Sequence, residues 1–378
     1  DLVHNHLTFF VFNHTAIFGK MHWPRQTVSN GFVTMEGRKM SKSMGNILPL
    51  RKAIANYGTD VIRFVVTSSA ELEADSDFNQ AAAEGVISRI NMLENLLEKT
   101  MDESKKTETE NKKPKKTGAR APARTRISRW FYSRLHARVR DAALQYGEFQ
   151  LRPLARALLY DTVNDLQWYS RRSPSLDLRE FFEYWTLLVA PFMPHVAEEF
   201  WEKLGDKKKY LPQAPLAVAA PFPPADEKQI DAALGRGEQH LQDVMEDVRH
   251  IMQLLKRERA NSITFIVHAG WKMKVRALVA QHKNIRLVME EAKRDAELAS
   301  RQPAVAQMAG KLIKNIGAIT GTAMESGEEK EMLAEAAQFL AKEFGAAEVR
   351  VLAEEDAPAE LAAKAANALP GKPSIVIA

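Results

Sequence analysis

Between positions 37 and 46 the sequence reads GRKMSKSMGN, which sets Lys39 and Lys42 three residues apart in a stretch that has glycine near both ends. Gly37 and Gly45 lower helix propensity, and Ser41 and Ser43 compete for backbone hydrogen bonds, so this spacing predicts a loop rather than a helix interior. On such a loop two ammonium groups, two hydroxyls and free backbone N–H groups can converge on a phosphate chain, each lysine acting as a point charge. A generic K-x-x-K would serve equally as a solvated basic turn. The full run Lys39-Met40-Ser41-Lys42-Ser43 is much rarer and points to anion binding.

The flanking sequence must position that loop. Residues 5–18, NHLTFFVFNHTAIF, carry Leu7, Phe10, Val11, His14 and Phe18 at helical spacing; residues 26–37 read as strand and turn; residues 60–69 return to a helical stripe through Val61, Phe64 and Val65. This alternation predicts part of an α/β nucleotide fold. A long amphipathic helix is expected over 77–100, with Val86, Ile90, Leu93 and Leu97 on one face. From 127 to 205 the pattern is strongly helical. There Leu135, Val139 and Ala142 make an apolar stripe, and Arg134 and Arg138 stand four apart on another face. Prolines at 212, 215, 221, 223 and 224 mark a connector. Beyond it come a helix at about 229–258, a strand turning into a helix from Ser262, and two late strand-like runs, 347–353 and 372–378.

The expected fold class is therefore multidomain: α/β plus all-α, with domains at 1–76, 77–228 and 229–378. At 378 residues two or three cores are anticipated. The absence of cysteine excludes disulfides and thiolate zinc sites, and the His4/His6 pair lacks further ligands, so no metal site is expected. No run of 18 apolar residues or charged-then-apolar leader is present, which sets a cytoplasmic location, with no membrane partner, as the expectation. The net charge of +5 comes from one segment, 101–126, which holds nine Lys or Arg and four Asp or Glu; the remainder balances at 44 against 44. With few aliphatic groups to offset ordering entropy, that segment is expected to be a disordered basic insert, either a spacer or an attractor of nucleic acid.

Between 127 and 172 there are eight arginines, no lysine and four acids, with Trp168 and Tyr169 next to Arg171 and Arg172. Planar, stacking-capable donors of this kind suit an RNA backbone and unstacked bases; Trp168 would equally serve as core. Trp271, Lys272 and Lys274 follow a strand and suggest a second basic, aromatic turn for RNA, again with the alternative that the ring is core.

Residues 29–46, SNGFVTMEGRKMSKSMGN, resemble the second signature loop of class I aminoacyl-tRNA synthetases, and NHLTFFVFNHTAIF before them is similar to leucyl enzymes of the archaeal and eukaryotic kind. YGTDVIRF (57–64) resembles the segment supporting that loop, while ISRWFYSRLHARV (127–139), DLQWYSRR (165–172) and LLVAPFMPHVAEEFWEKLG (187–205) resemble the family's helical anticodon-binding bundle. The resemblance covers about 1–100 and 127–270 well and the last module loosely.

It implies the second half of a class I Rossmann-like nucleotide fold, a helical anticodon-binding domain and a small C-terminal α/β module that recognises tRNA. It also implies ATP-dependent formation of leucyl-adenylate and leucylation of tRNA(Leu). In that reading Lys39 and Lys42 neutralise charge on the β- and γ-phosphates with Mg²⁺ sharing them, Met40, Ser41 and Ser43 shape the ATP-binding loop, and Gly37, Gly45 and Asn46 let it open and close. The implied tRNA contacts are Arg134, Arg138, Arg171, Arg172, Trp271, Lys272 and Lys274. The family's first signature, His-x-Gly-His, does not occur; HAGW at 268–271 departs from it at Trp271. The expectation is a C-terminal portion whose partner, in cis or as a separate subunit, is the missing N-terminal half with the leucine pocket. A tRNA-binding module without chemistry, and another class I synthetase (Ile, Val or Met), are the alternatives.

Overall fold

The computed structural model describes residues 3–29, 31–111, 124–173, 176–205, 210–212, 214–314 and 323–378. Two compact units form, Asp1–Ala123 with Leu135–Glu227, and Arg124–Arg134 with Lys228–Ala378. The sequence places boundaries after 76 and after 228. The observed division falls one residue before the second of these, whereas position 76 lies inside the first unit.

Helix α1 (Thr8–Ile17) has the expected helical spacing but buries nothing: Phe9, Phe12 and Ile17 are 66%, 71% and 72% exposed. A three-stranded sheet of order β2-β1-β3 follows, built from β1 (Val33–Met35), β2 (Arg38–Lys39) and β3 (Ser76–Phe78). β1 pairs antiparallel with β2 and parallel with β3, in the register Thr34↔Lys39 and Thr34↔Asp77. The crossover between β2 and β3 carries α2 (Leu50–Tyr57) and α3 (Thr59–Ser69), and α3 buries the stripe Val61, Phe64 and Val65.

Helix α4 (Gln80–Asn111) buries Val86, Leu93 and Leu97. It runs through the first eleven residues of the basic segment read as disordered, and α5 (Arg126–Gly147) starts at its last residue. The correction has a physical reason: once the apolar stripe has nucleated the helix, Glu- and Lys-rich sequence propagates it at low cost. Residues 112–123 of that segment lie outside the described residues. The stripe Leu135, Val139 and Ala142 of α5 is buried. Helix α6 (Leu151–Arg156) passes through a wide turn, Ala157–Asp161, into α7 (Thr162–Arg172). Helices α8 (Arg179–Val189) and α9 (Pro194–Lys203) complete the bundle. Every residue of α8 from Glu180 to Val189 is buried, with Trp185 donating from Nε1 to the Leu158 carbonyl at 2.7 Å and packing 5.3 Å from the Phe200 ring.

Buried and half-buried carboxylates tie the pieces of this unit together. Asp60 on α3 accepts the Val196 N–H at 2.7 Å and meets His195 Nδ1 at 2.8 Å, so it caps α9 from another helix. Arg63, one turn on, donates to the Pro191 and Phe192 carbonyls at 2.8 and 3.1 Å. Glu183 accepts the Tyr210 and Leu211 N–H groups, and Glu198 those of Ala217 and Val218, which satisfies backbone donors of the proline-rich connector. Asp60 and Arg63 thus bind α3 to α9 and to the residues just before it.

In the second unit, α10 (Ala232–Leu254) is capped by Asp231, which accepts the Ala233 N–H. Strand β4 (Ser262–Val267) lies between β5 (Glu348–Ala353), parallel to it, and β6 (Ser374–Ile377), antiparallel to it. Its residues Ile263–Val267 are buried, as a central strand requires. Helices α11 (Trp271–His282), α12 (Ile285–Ala292), α13 (Ala296–Ala299) and α14 (Gln302–Lys314) share a core that includes Trp271, Val275, Val279, Val288, Val305 and Leu312. Helices α15 (Ser326–Glu335) and α16 (Ala337–Phe344) lead into β5, and the buried Glu329 of α15 meets His240 Nε2 at 2.7 Å.

The cap supplied by Asp60 should be measurable. Asp60→Ala removes the acceptor from the α9 N-terminus and is expected to lower the urea stability of the chain by about 1–2 kcal/mol. A midpoint equal to the wild type would show that the contact contributes nothing.

Candidate active-site loop and nucleic-acid interface

Strands β1 and β2 are joined by the two-residue turn Glu36–Gly37, whose φ values of 52° and 72° match the twist of a tight hairpin. Three carboxylates fix this hairpin. Asp77 Oδ1 accepts from Thr34 Oγ1 and from the Gly37 N–H, both at 2.7 Å. Glu36 accepts the Gln80 N–H at 2.9 Å and Asn79 Nδ2 at 2.7 Å. Asp75 Oδ1 accepts the Phe32 N–H at 2.7 Å, at a place where Gly31 leaves room: a Cβ on Gly31 would stand 2.1 Å from that oxygen.

Lys39 is the last residue of β2, so its backbone is set by the strand, and the loop proper begins at Met40. Asn46 closes it. Its Oδ1 accepts the Ser41 N–H at 2.9 Å and its Nδ2 donates to the Lys39 carbonyl at 3.1 Å, while Ser41 and Ser43 hydroxyls bond each other at 2.7 Å. Lys42 starts a turn that ends at Gly45, with the Gly45 N–H bonded to the Lys42 carbonyl and Gly45 at φ 67°. Asn46 thus clips the two ends of the loop together through its side chain. Lys39 and Lys42 are both exposed, and among the described residues neither forms an ion pair; the Lys39 ammonium lies 5.1 Å from the centroid of the Phe32 ring.

The structure separates the residues expected to face RNA. Arg134 and Arg171 are exposed and Arg172 is half-buried. Trp168 is core, with the guanidinium groups of Arg171 and Arg172 at 5.6 and 5.9 Å from its ring centroid. Arg138 is drawn inward to an ion pair with Asp165, so an (i, i+4) arginine pair that looks uniform in sequence has one outward member and one structural one. Trp271 and Lys272 correct the expected basic turn: Trp271 opens α11 and belongs to the core of this unit. The Lys272 ammonium is buried, donating to the Ala366 and Ala368 carbonyls at 2.9 and 2.7 Å and paired with Glu354 at 2.8 Å. Burial lowers the Lys272 pKa and Glu354 opposes that change. Lys274 stays at the surface, held by Glu297 at 2.8 Å and Asp295 at 3.0 Å, and those two partners raise its pKa. Among the described residues no group of three or more His, Asp or Glu side chains is placed to hold a metal ion, and no helix is long and apolar enough to cross a membrane.

Residues 1–101 match the family model described as tRNA synthetases class I (M), and residues 128–264 match that of the anticodon-binding domain of tRNA ligase. Over its whole length the chain is 34% identical to the leucine–tRNA ligase of Pyrococcus horikoshii and 32% identical to that of Pyrococcus furiosus, in each case covering 37% of the relative. The leucine–tRNA ligase of Methanothrix thermoacetophila is 31% identical over the whole chain, which covers 38% of it. The chain therefore spans a little over a third of the length of these relatives.

Two substitutions test how the loop is built. Gly31→Ala should displace the Asp75 carboxylate and cost about 1–3 kcal/mol of urea stability through the orphaned Phe32 N–H. Asn46→Ala removes both clip bonds and should speed hydrogen exchange of the Ser41 amide roughly five- to tenfold, for bonds worth about 1 kcal/mol. Unchanged exchange would mean that the clip does not hold the loop.

Proposed function

Because this chain belongs to the leucine–tRNA ligase family along its whole length, we propose that it supplies the lysine-loop half and the tRNA-binding part of such an enzyme. The observation that carries the reading is the Asn46-clipped loop, which presents the Lys39 and Lys42 ammonium groups with no acidic partner among the described residues to compete with a phosphate.

In the proposed reaction a leucine carboxylate oxygen attacks the α-phosphorus of ATP, the bond from that phosphorus to the bridging oxygen breaks, and pyrophosphate departs. Negative charge grows on the β- and γ-phosphates as it leaves. In this reading Lys39 and Lys42 neutralise that charge, with Mg²⁺ carried by the phosphates, while Met40, Ser41 and Ser43 line the loop. The activated leucine then passes to tRNA(Leu).

The groups that must bind leucine and the rest of ATP belong to the remainder of the enzyme, in cis or as a separate subunit. The exposed apolar side chains Phe9, Phe12, Ile17 and Met21 offer that remainder a hydrophobic face. The proposed tRNA contacts are the outward-facing Arg134, Arg171 and Lys274 and the half-buried Arg172, whereas Arg138, Trp271 and Lys272 are buried or paired within the fold.

With the remaining part of the enzyme supplied, Lys42→Ala should lower the rate of leucine-dependent pyrophosphate exchange about a hundredfold with little change in the KM for leucine, because the ammonium acts on charge that develops in the transition state. An effect confined to the leucine KM would contradict the assignment. Arg171→Ala should flatten the log-affinity against log-salt slope for tRNA(Leu) by about 0.9 for one lost phosphate contact on duplex RNA-like charge density. A parallel loss of affinity at every salt concentration would assign Arg171 to something other than phosphate.

A further inference from the structure

Helices α4 and α7 border a surface groove of about 430 Å³ that plays no part in the lysine loop. Its size lies in the range of small-ligand sites, roughly 300–1,000 Å³. From α4 the lining residues Ser88, Asn91, Met92, Asn95, Leu96 and Lys99 recur every three or four positions, so one face of that helix forms the wall. Leu166, Gln167 and Ser170 of α7 form the opposite side.

The chemistry of the lining is selective. Met92 and Leu96 are half-buried and Leu166 is buried, which gives an apolar floor, while the carboxamides of Asn91, Asn95 and Gln167 are exposed above it. Among the described residues these three carboxamides bond to no other protein group. Each presents one N–H donor beside one carbonyl acceptor in a plane, which matches the adjacent donor and acceptor atoms on a nucleobase edge. Among the described residues Lys99 is the one charged residue of the lining, so the groove has little attraction for a long polyanion and is suited to a single phosphate at one end. Arg171 follows Ser170 on α7, its guanidinium 5.6 Å from the centroid of the Trp168 ring.

We propose that this groove takes one unpaired nucleotide of the bound RNA, its base edge read by Asn91, Asn95 and Gln167, its face set against Met92, Leu96 and Leu166, and its phosphate met by Lys99. The inference rests on the tRNA-binding reading above and adds to it a contact that reads base identity rather than backbone charge. Unpaired bases are the positions where RNA offers its hydrogen-bonding edges, since the deep major groove of an RNA helix hides them.

The test uses the full chain and a tRNA(Leu) transcript, with binding measured at several salt concentrations. The triple variant Asn91→Ala, Asn95→Ala, Gln167→Ala changes only exposed side chains. It should weaken binding about tenfold or more with an unchanged salt slope, because neutral hydrogen bonds release no counterions. Lys99→Ala should flatten the slope by about 0.7, the value for one phosphate contact on a single strand. Wild-type binding that the triple variant matches within about twofold would overturn the groove and leave the tRNA-binding reading standing. A wild-type chain that binds no tRNA would overturn both. Tight binding of an unstructured peptide by the wild type and not by the triple variant, with tRNA binding equal in the two, would assign the groove to a protein segment and so overturn the proposal.

Discussion

Carboxylates that accept backbone N–H groups hold the irregular parts of this chain in place. Asp75, Asp77 and Glu36 fix the hairpin that carries the lysine loop, Asp60 closes the N-terminus of α9, and Glu183 and Glu198 hold the connector after the bundle. A charged acceptor makes a shorter and stronger bond than a neutral one, and a carboxylate can serve two donors at once. Several of these acids do so, which lets a few side chains order backbone that has neither helix nor ladder to satisfy it.

The same arrangement has an electrostatic consequence. The acids near the hairpin accept N–H and hydroxyl groups, and among the described residues none of them pairs with a lysine on it. Asp77 spends one oxygen on Thr34 and Gly37, and Glu36 spends both on Asn79 and Gln80. Lys39 therefore has an aromatic ring beside it rather than an acid, and Lys42 projects from a turn without an ion pair among the described residues. In the second unit the lysines are treated in the opposite way. Lys272 is neutralised by Glu354 and two carbonyls, and Lys274 by two acids. The difference between a cation that serves the fold and one that is free for a ligand is set by where the acids are spent.

That difference also marks what the sequence could and could not reveal. Local periodicity showed the buried stripes of α3, α4 and α5, because a 3.6-residue repeat is a property of neighbours in the chain. The rarity of Lys39-Met40-Ser41-Lys42-Ser43 showed the loop. Lys272 was misread because the carbonyls that bury it belong to Ala366 and Ala368, more than ninety positions downstream. Arg138 was misread beside Arg134 because the acid that claims it, Asp165, is 27 positions away on α7. The only local hint for Trp271 was its place directly after a strand and a glycine, which suits an exposed turn and a buried helix start equally. Asn46 could have been recognised: an Asn one residue beyond a positive-φ glycine, five positions from the amide it accepts, is the usual chemistry of a side chain closing a loop.

The proposed recognition of RNA by the first unit can then be divided by how each contact would respond to salt. Arg171 is exposed and its guanidinium lies 5.6 Å from the centroid of the Trp168 ring, a contact that limits its movement. The groove beside it on α4 and α7 holds three carboxamides and a single lysine. Arginine attracts any nucleic acid and discriminates poorly; carboxamides attract weakly and discriminate well. Under that proposal, a surface that sets the two side by side across α4 and α7 would capture RNA by charge and then accept or reject it by the fit of a base, and the second step costs little when the base is already unpaired.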